Sequence, residues 1–148
     1  MNKKTLVKIA IALTLGLLLF LIVNHFNQLD YIEGQKEITL IIALETDEAD
    51  EIIVELSVLT YALTLGELLD ELNANDVLAV EFDTTSFLGR SIISINDFTT
   101  YDWASGPWWV FNSINNASCL DAGFCAGIDQ TPIDDGDQFI FIFIASFE

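Results

Sequence analysis

Three kinds of hydrophobic pattern follow one another along the chain. Residues 9–23, IAIALTLGLLLFLIV, form an unbroken apolar run with no charged member and nothing more polar than Thr14. From residue 37 the pattern becomes strand-like: EITLIIALE (37–45) and EIIVELSV (51–58) are rich in β-branched residues, and the acidic TDEAD between them reads as a hairpin turn. At TLGELLDELNAND (64–76) the period lengthens to that of a helix. Leu65, Leu68, Leu69 and Leu72 recur on one face, Thr64 and Glu67 have the spacing of a capping box, and residues 73–76 supply turn-formers that end the run. Four extended segments follow, VLAVEFD (77–83), GRSIISI (89–95), PWWVFNSI (107–114) and QFIFIFIASF (138–147), the last announced by the turn signal Asp135 and Gly136.

A hairpin, one helix and then several strands is the order of an α+β fold in which a β-grasp-like sheet packs on one helix. The apolar run ahead of it approaches the roughly 20 residues that a bilayer requires, and Lys3, Lys4 and Lys8 precede or flank it. The next residues, NHFNQLD, lack the small-x-small pattern of a cleavage site, and no cysteine stands nearby to accept a lipid. The run therefore reads as an uncleaved signal anchor, with a signal peptide as the alternative. The positive-inside rule then keeps the lysines in the cytoplasm and places the rest outside the cell membrane, on a single-pass anchor. The expected organisation is a transmembrane segment at 1–23, a tether at 24–36 and one β-grasp domain at 37–148.

Charge sharpens this division. All 23 acidic residues lie beyond residue 23, where Lys36 and Arg90 are the only bases. Such a surface repels polynucleotides, which excludes nucleic acid as a partner. A dense negative coat also keeps a domain rich in Phe and Ile from associating with itself.

The ordered motifs TLGELL (64–69), SIN (94–96), WWVFNS (108–113) and DGDQFIF (135–141) resemble those of the bacterial extracellular domains of unknown function related to the carboxy-terminal domain of transcobalamin and intrinsic factor. The likeness runs from about residue 37 to the end. It implies a β-grasp-like ligand-binding or adhesion module at the cell surface, with a cobalamin-like ligand by analogy only. The chain departs from the vertebrate relatives by lacking their large helical domain and by inserting NASCLDAGFCAGIDQTP (116–132) after the Trp strand.

Strand alternation gives the adjacent tryptophans different faces: Trp108, Val110 and Asn112 on one, Trp109, Phe111 and Ser113 on the other. With Trp109 and Phe111 turned to the helix, Trp108 stands outward. There it joins Tyr101 and Trp103 as a platform on which a flat apolar ligand or a sugar stacks, and Asn112 and Asn115 supply orienting amides. These five residues are the expected ligand-binding set. The alternative is a structural or interaction domain of the cell surface, in which the tryptophans serve the core alone.

Cys119 and Cys125 are the only cysteines. In an exported loop they suit a disulfide, with free thiols as the alternative. A zinc site needs two further ligands, and the only histidine is His25, before the domain, so no metal is expected. The run DDGD (134–137) lacks both the alternate spacing and the closing Glu of a calcium loop. With no histidine in the domain, no nucleophile elbow and no phosphate loop, neither an enzymatic activity nor a cofactor is expected. The expected partners are the membrane, through the N-terminal helix, and a small molecule or a cell-surface component.

Overall fold

The computed structural model describes residues 34–145 with the exception of Glu48 and Leu88. The expected anchor at 1–23 and the tether up to residue 33 lie outside the described residues, among which no helix is long and apolar enough to cross a membrane.

Among the described residues the fold is α+β, with two sheets and two short helices. Strand β1 (Lys36–Leu44) pairs antiparallel with β2 (Glu51–Thr60), as the two β-rich runs predict, and a register shift falls at Ile42/Ala43. Helix α1 (Leu65–Ala74) follows, then β3 (Val80–Asp83), β4 (Ser91–Ile95) and the two-residue β5 (Phe98–Thr99), which form an antiparallel sheet of three strands. Strand β6 (Trp108–Ser113), helix α2 (Ala117–Ala122) and β7 (Gln138–Ile144) complete the chain. The final strand inserts beside the first: β7 runs parallel to β1 and antiparallel to β6, giving a mixed sheet in the order β2-β1-β7-β6.

Helix α1 begins as its sequence dictates. Thr64 Oγ1 accepts the N–H of Glu67 at 3.3 Å, and the Glu67 carboxylate reaches back to the N–H of Leu63 at 2.7 Å. The reciprocal bond thus falls one residue earlier than in a standard capping box. The helix stops where Asp76 takes φ 55, which lets the N–H of Val77 return to the carbonyl of Leu72 at 2.9 Å. Its apolar face, Leu65, Leu68, Leu69 and Leu72, is buried in one cluster with Ile38, Leu40 and Ile42 of β1 and Phe139 and Phe141 of β7.

Trp109 closes this core toward the second sheet. It is 8 % exposed, its ring centroid lies 4.8 Å from that of Phe143, and Nε1 donates to the carbonyl of Phe98 on β5 at 2.9 Å. Phe111, half-buried on the same face, stacks on Phe141 at 5.6 Å.

Two elements differ from the sequence expectation. The segment 77–83 extends only from Val80, because the helix C-cap consumes residues 75–78. Helix α2 forms inside the expected loop, with Asn116 Oδ1 accepting the N–H of Cys119 at 3.1 Å and Gly123 ending it at φ 78.

Candidate functional site

The outward face of the mixed sheet is built by alternation along β7. In QFIFIFI the phenylalanines 139, 141 and 143 turn to the core, so Ile140, Ile142 and Ile144 turn away from it, all three half-buried. Pairing with β6 sets Asn112 beside Ile140 and Val110 beside Ile142, and pairing with β1 adds Ile41 and Ala43 to the same rows.

Over one part of this floor stands the turn that leaves α2. Cys119 is buried at the helix and joined to Cys125 by a disulfide of 2.02 Å, which closes a loop of sequence separation 6. The loop carries Phe124, a large apolar side chain left 66 % exposed. Floor and loop together bound a half-open cleft of about 350 Å³, lined by Val110, Asn112, Ile140 and Ile142 below and by residues 123–125 at the side, with Phe111 at the strand edge. That volume lies at the lower end of the roughly 300–1,000 Å³ range of small-ligand sites. A smaller hollow of about 80 Å³, lined by Ile41, Ile114 and Gln138 among others, shares Ile140 with the cleft as a lining residue.

Asn112 is the one polar side chain lining the main cleft. Its Oδ1 accepts the N–H of Ser113 at 2.8 Å. A backbone N–H can only donate, so this bond settles which atom of the amide is oxygen and presents Nδ2 as the group free to donate. Cys125 Sγ lies 3.7 Å from the same oxygen, and a disulfide sulfur has no proton to give, so that approach is a packing contact.

A second cleft, of about 180 Å³, runs between the two sheets with Trp103 at its rim, Trp109 and Phe111 on one wall and Arg90, Ser91 and Ile92 on the other. Its charged group is already committed. Arg90 bonds both carboxylate oxygens of Asp129, with Nη2 at 2.7 Å from Oδ1, and chelates Asp70 through Nη1 at 2.7 Å and Nη2 at 3.0 Å. Its guanidinium also lies 4.6 Å above the ring of Phe82. The hydrogen bonds from Arg90 hold the Asp129 carboxyl below its ordinary value and raise the guanidinium further above its own. Arg90 thus ties α1, β4 and the loop at residue 129 together.

Comparison with known proteins gives a fold and little more. No family model and no curated protein matches the chain. A solved structure from Ruminococcus gnavus ATCC 29149, described provisionally as a metal binding protein, matches with a TM-score of 0.50 at 23 % identity over 76 % of this chain and 99 % of that one. Haptocorrin in complex with Cbi matches with a TM-score of 0.47 at 13 % identity over 79 % of this chain and 27 % of its own. At such identities the Ruminococcus protein shares the fold with this chain, and its description applies to that protein alone. Among the described residues no group of three or more His, Cys, Asp and Glu is placed to hold a metal ion.

Of the five residues expected to bind ligand, the structure brings Trp103 and Trp108 together, and the five line no common cleft. Asn112 lines the outer cleft and Trp103, 47 % exposed, lines the inner one. Trp108 is half-buried between them: its ring lies so close over Gly106 that a Cβ there would come within 2.6 Å of it, and its Nε1 donates to the carbonyl of Trp103 at 3.0 Å. Tyr101 is 89 % exposed and lines neither cleft. Asn115 serves the strand connection, with Nδ2 donating to the carbonyl of Gly136 and Oδ1 accepting from Gln138, both at 2.8 Å. Two acids of the DDGD turn are likewise occupied by backbone and by Asn116: Asp135 accepts the N–H of Glu37, and Asp137 accepts from the N–H of Asp134 and from Asn116 Nδ2.

Sequence reasoning missed Phe124, Ile140 and Ile142. The signal for the isoleucines stood in the strand itself. A strand with one wet face alternates apolar with polar, whereas 139–144 is apolar on both faces and so calls for cover on both.

Proposed function

We propose that this protein is a membrane-anchored binding module facing outside the cell, a β-grasp-like domain of the transcobalamin C-terminal type that takes a small ligand or an envelope partner. The observation that carries this is the cleft of about 350 Å³, with its apolar floor, its side wall set by a disulfide loop and a single oriented amide. The mixed sheet with β1 and β7 parallel at its centre, a first hairpin and the ten-residue helix α1 against the core supports the grasp-like description. Kinship with the transcobalamin C-terminal domain rests on the order of the sequence motifs. Anchoring rests on the lysine-flanked apolar run at 9–23. Catalysis forms no part of the proposal, since the domain has no histidine to act as a base.

The test is a thermal-shift screen of the full chain against corrinoids, glycans and uncharged apolar molecules, run in parallel on Ile142→Glu, which places a charge in the cleft floor. A ligand at one hundred times its Kd stabilises by about 2.7 kcal/mol, which is a rise of roughly 10 °C or more for a domain of this size. A rise that Ile142→Glu abolishes supports the binding module. If nothing raises the Tm, the cell-surface structural domain replaces it.

A further inference from the structure

The chemistry of the outer cleft selects its ligand by charge. None of the side chains that line it is ionisable, and the disulfide sulfurs do not titrate. An ion seated there would lose its hydration with no counter-charge to replace it. An anion would in addition enter the field of a chain with formal net charge −18. A cation would gain from that field, yet the only side-chain oxygen among the described lining residues is the neutral Asn112 Oδ1, which already accepts the N–H of Ser113. What the lining does provide is an apolar floor in Val110, Ile140 and Ile142, an aromatic wall in Phe124, and one N–H donor.

We propose that this cleft takes an uncharged, apolar molecule that presents one acceptor oxygen, such as a ketone, ester or amide carbonyl, to Asn112 Nδ2. The assignment rests on the binding-module reading above and adds the ligand class to it. Size points the same way: about 350 Å³ suits a body of one or two rings or a short branched chain.

Benzophenone is such a molecule and is its own photolabel. The full chain in lipid nanodiscs is irradiated with benzophenone, with 4-benzoylbenzoate and with 4-(aminomethyl)benzophenone, which share one body and differ in charge, and adducts are mapped by mass spectrometry. Expected is saturable labelling of the peptides bearing residues 110–112, 123–125 and 140–142 by benzophenone, and little by either ion. Asn112→Leu moves the saturation midpoint about two- to tenfold higher, the worth of one net hydrogen bond. Phe124→Ala, in an exposed position that leaves the core intact, weakens labelling without unfolding the domain, as circular dichroism checks. Cleft labelling by either ion that equals or exceeds that by benzophenone overturns the neutral class while leaving a binding site in place. An unchanged midpoint in Asn112→Leu overturns the role of the amide. Absence of cleft labelling by all three probes in a folded protein overturns the binding site together with the ligand class.

Discussion

Replacing Trp109 and Trp108 in parallel separates the two jobs that strand alternation gives to neighbouring rings. Trp109 is buried against Phe143 and its indole N–H satisfies the carbonyl of Phe98, so it joins the four-stranded sheet to the three-stranded one. Truncation to alanine removes a full aromatic side chain, leaves a cavity and orphans a carbonyl. Large-to-small changes of this kind cost about 3 to 5 kcal/mol. Trp108 is only half-buried, lies over Gly106, and bonds an exposed loop carbonyl, so its truncation gives up part of that contact area and one weak bond, about 1 to 2 kcal/mol. At roughly 4–8 °C per kcal/mol, Trp109→Ala lowers the Tm by some 12 °C or more and Trp108→Ala by at most about two thirds as much. Trp109→Phe keeps most of the ring and loses the N–H, so it falls between them. The melts are followed by far-ultraviolet circular dichroism, because the substitutions alter the fluorophores themselves. Equal Tm losses for the two alanine variants would refute the assignment of faces, and a Trp109→Phe as damaging as Trp109→Ala would show that the hydrogen bond outweighs the packing.

Other consequences can be checked on the same protein. Gly66→Ala gains about 1 kcal/mol of helix propensity, but the new Cβ falls 2.3 Å from Asp129 Oδ1 and 2.9 Å from Arg90 Nη2, so a net loss of about 1 to 2 kcal/mol in urea unfolding is expected, and a stabilised variant would refute the clash. Arg90→Met lowers the stability by about 2 kcal/mol at pH 7, given partial solvent exposure of the pair. Because the Asp129 carboxyl is held below its ordinary 3.8, its contribution is complete well above 3.8 and is lost as the pH falls from there through the lower value of the folded state, so the gap between wild type and Arg90→Met is constant from pH 5 to 8 and begins to narrow below about pH 4. Native Cys119 and Cys125 resist thiol reagents until reductant is added, and their joint replacement by serine costs about 2 kcal/mol by loop entropy; immediate labelling would contradict the bond. In intact cells, added protease digests the domain and spares the first residues, and the N-terminus has its unprocessed mass; a soluble form starting after residue 23 would remove the anchor.

How much of this was legible depended on whether a signal was local. The hairpin, helix α1 and the inward turn of Trp109 follow from period and capping alone, because each is decided by side chains within one turn or one strand of each other. Helix α2 carried caps as well, Asn116 ahead and Gly123 behind, but at six residues it is too short for a hydrophobic period to appear. The ligand platform failed to assemble because alternation places a side chain on a face and says nothing of where the next loop returns. Trp103 follows the turn capped by Asp102, whose Oδ1 takes the N–H of Ala104 and whose Oδ2 takes the hydroxyl of Ser105, and this carries it to the gap between the sheets. Asn115 was spent on a strand connection made with residues more than twenty positions away.

The distribution of polarity over the outward face of the sheet favours the proposal of a localised cleft over one in which the whole face is adhesive. Polarity rises across it from β6 and β7 toward β2. Ile140, Ile142 and Val110 lie at one side, whereas Thr39 on β1 hydrogen-bonds Ser57 on β2 at 3.3 Å, and Glu55 stands opposite Ile41. Ile52 at the bulged end of β2 and Leu59, paired with Glu37 near its other end, interrupt this trend. A face that mates with a second flat surface is apolar at its centre and polar at its rim, and two copies of a chain with formal net charge −18 repel one another besides. Here the apolar part is displaced toward β6 and β7, where the disulfide loop supplies a wall. Phe124 is one of several large apolar side chains left exposed, and it is the one that stands beside the apolar floor of the cleft. An apolar side chain kept beside an apolar floor, with a bonded loop to hold it, is the arrangement expected when the missing contact is made by a ligand.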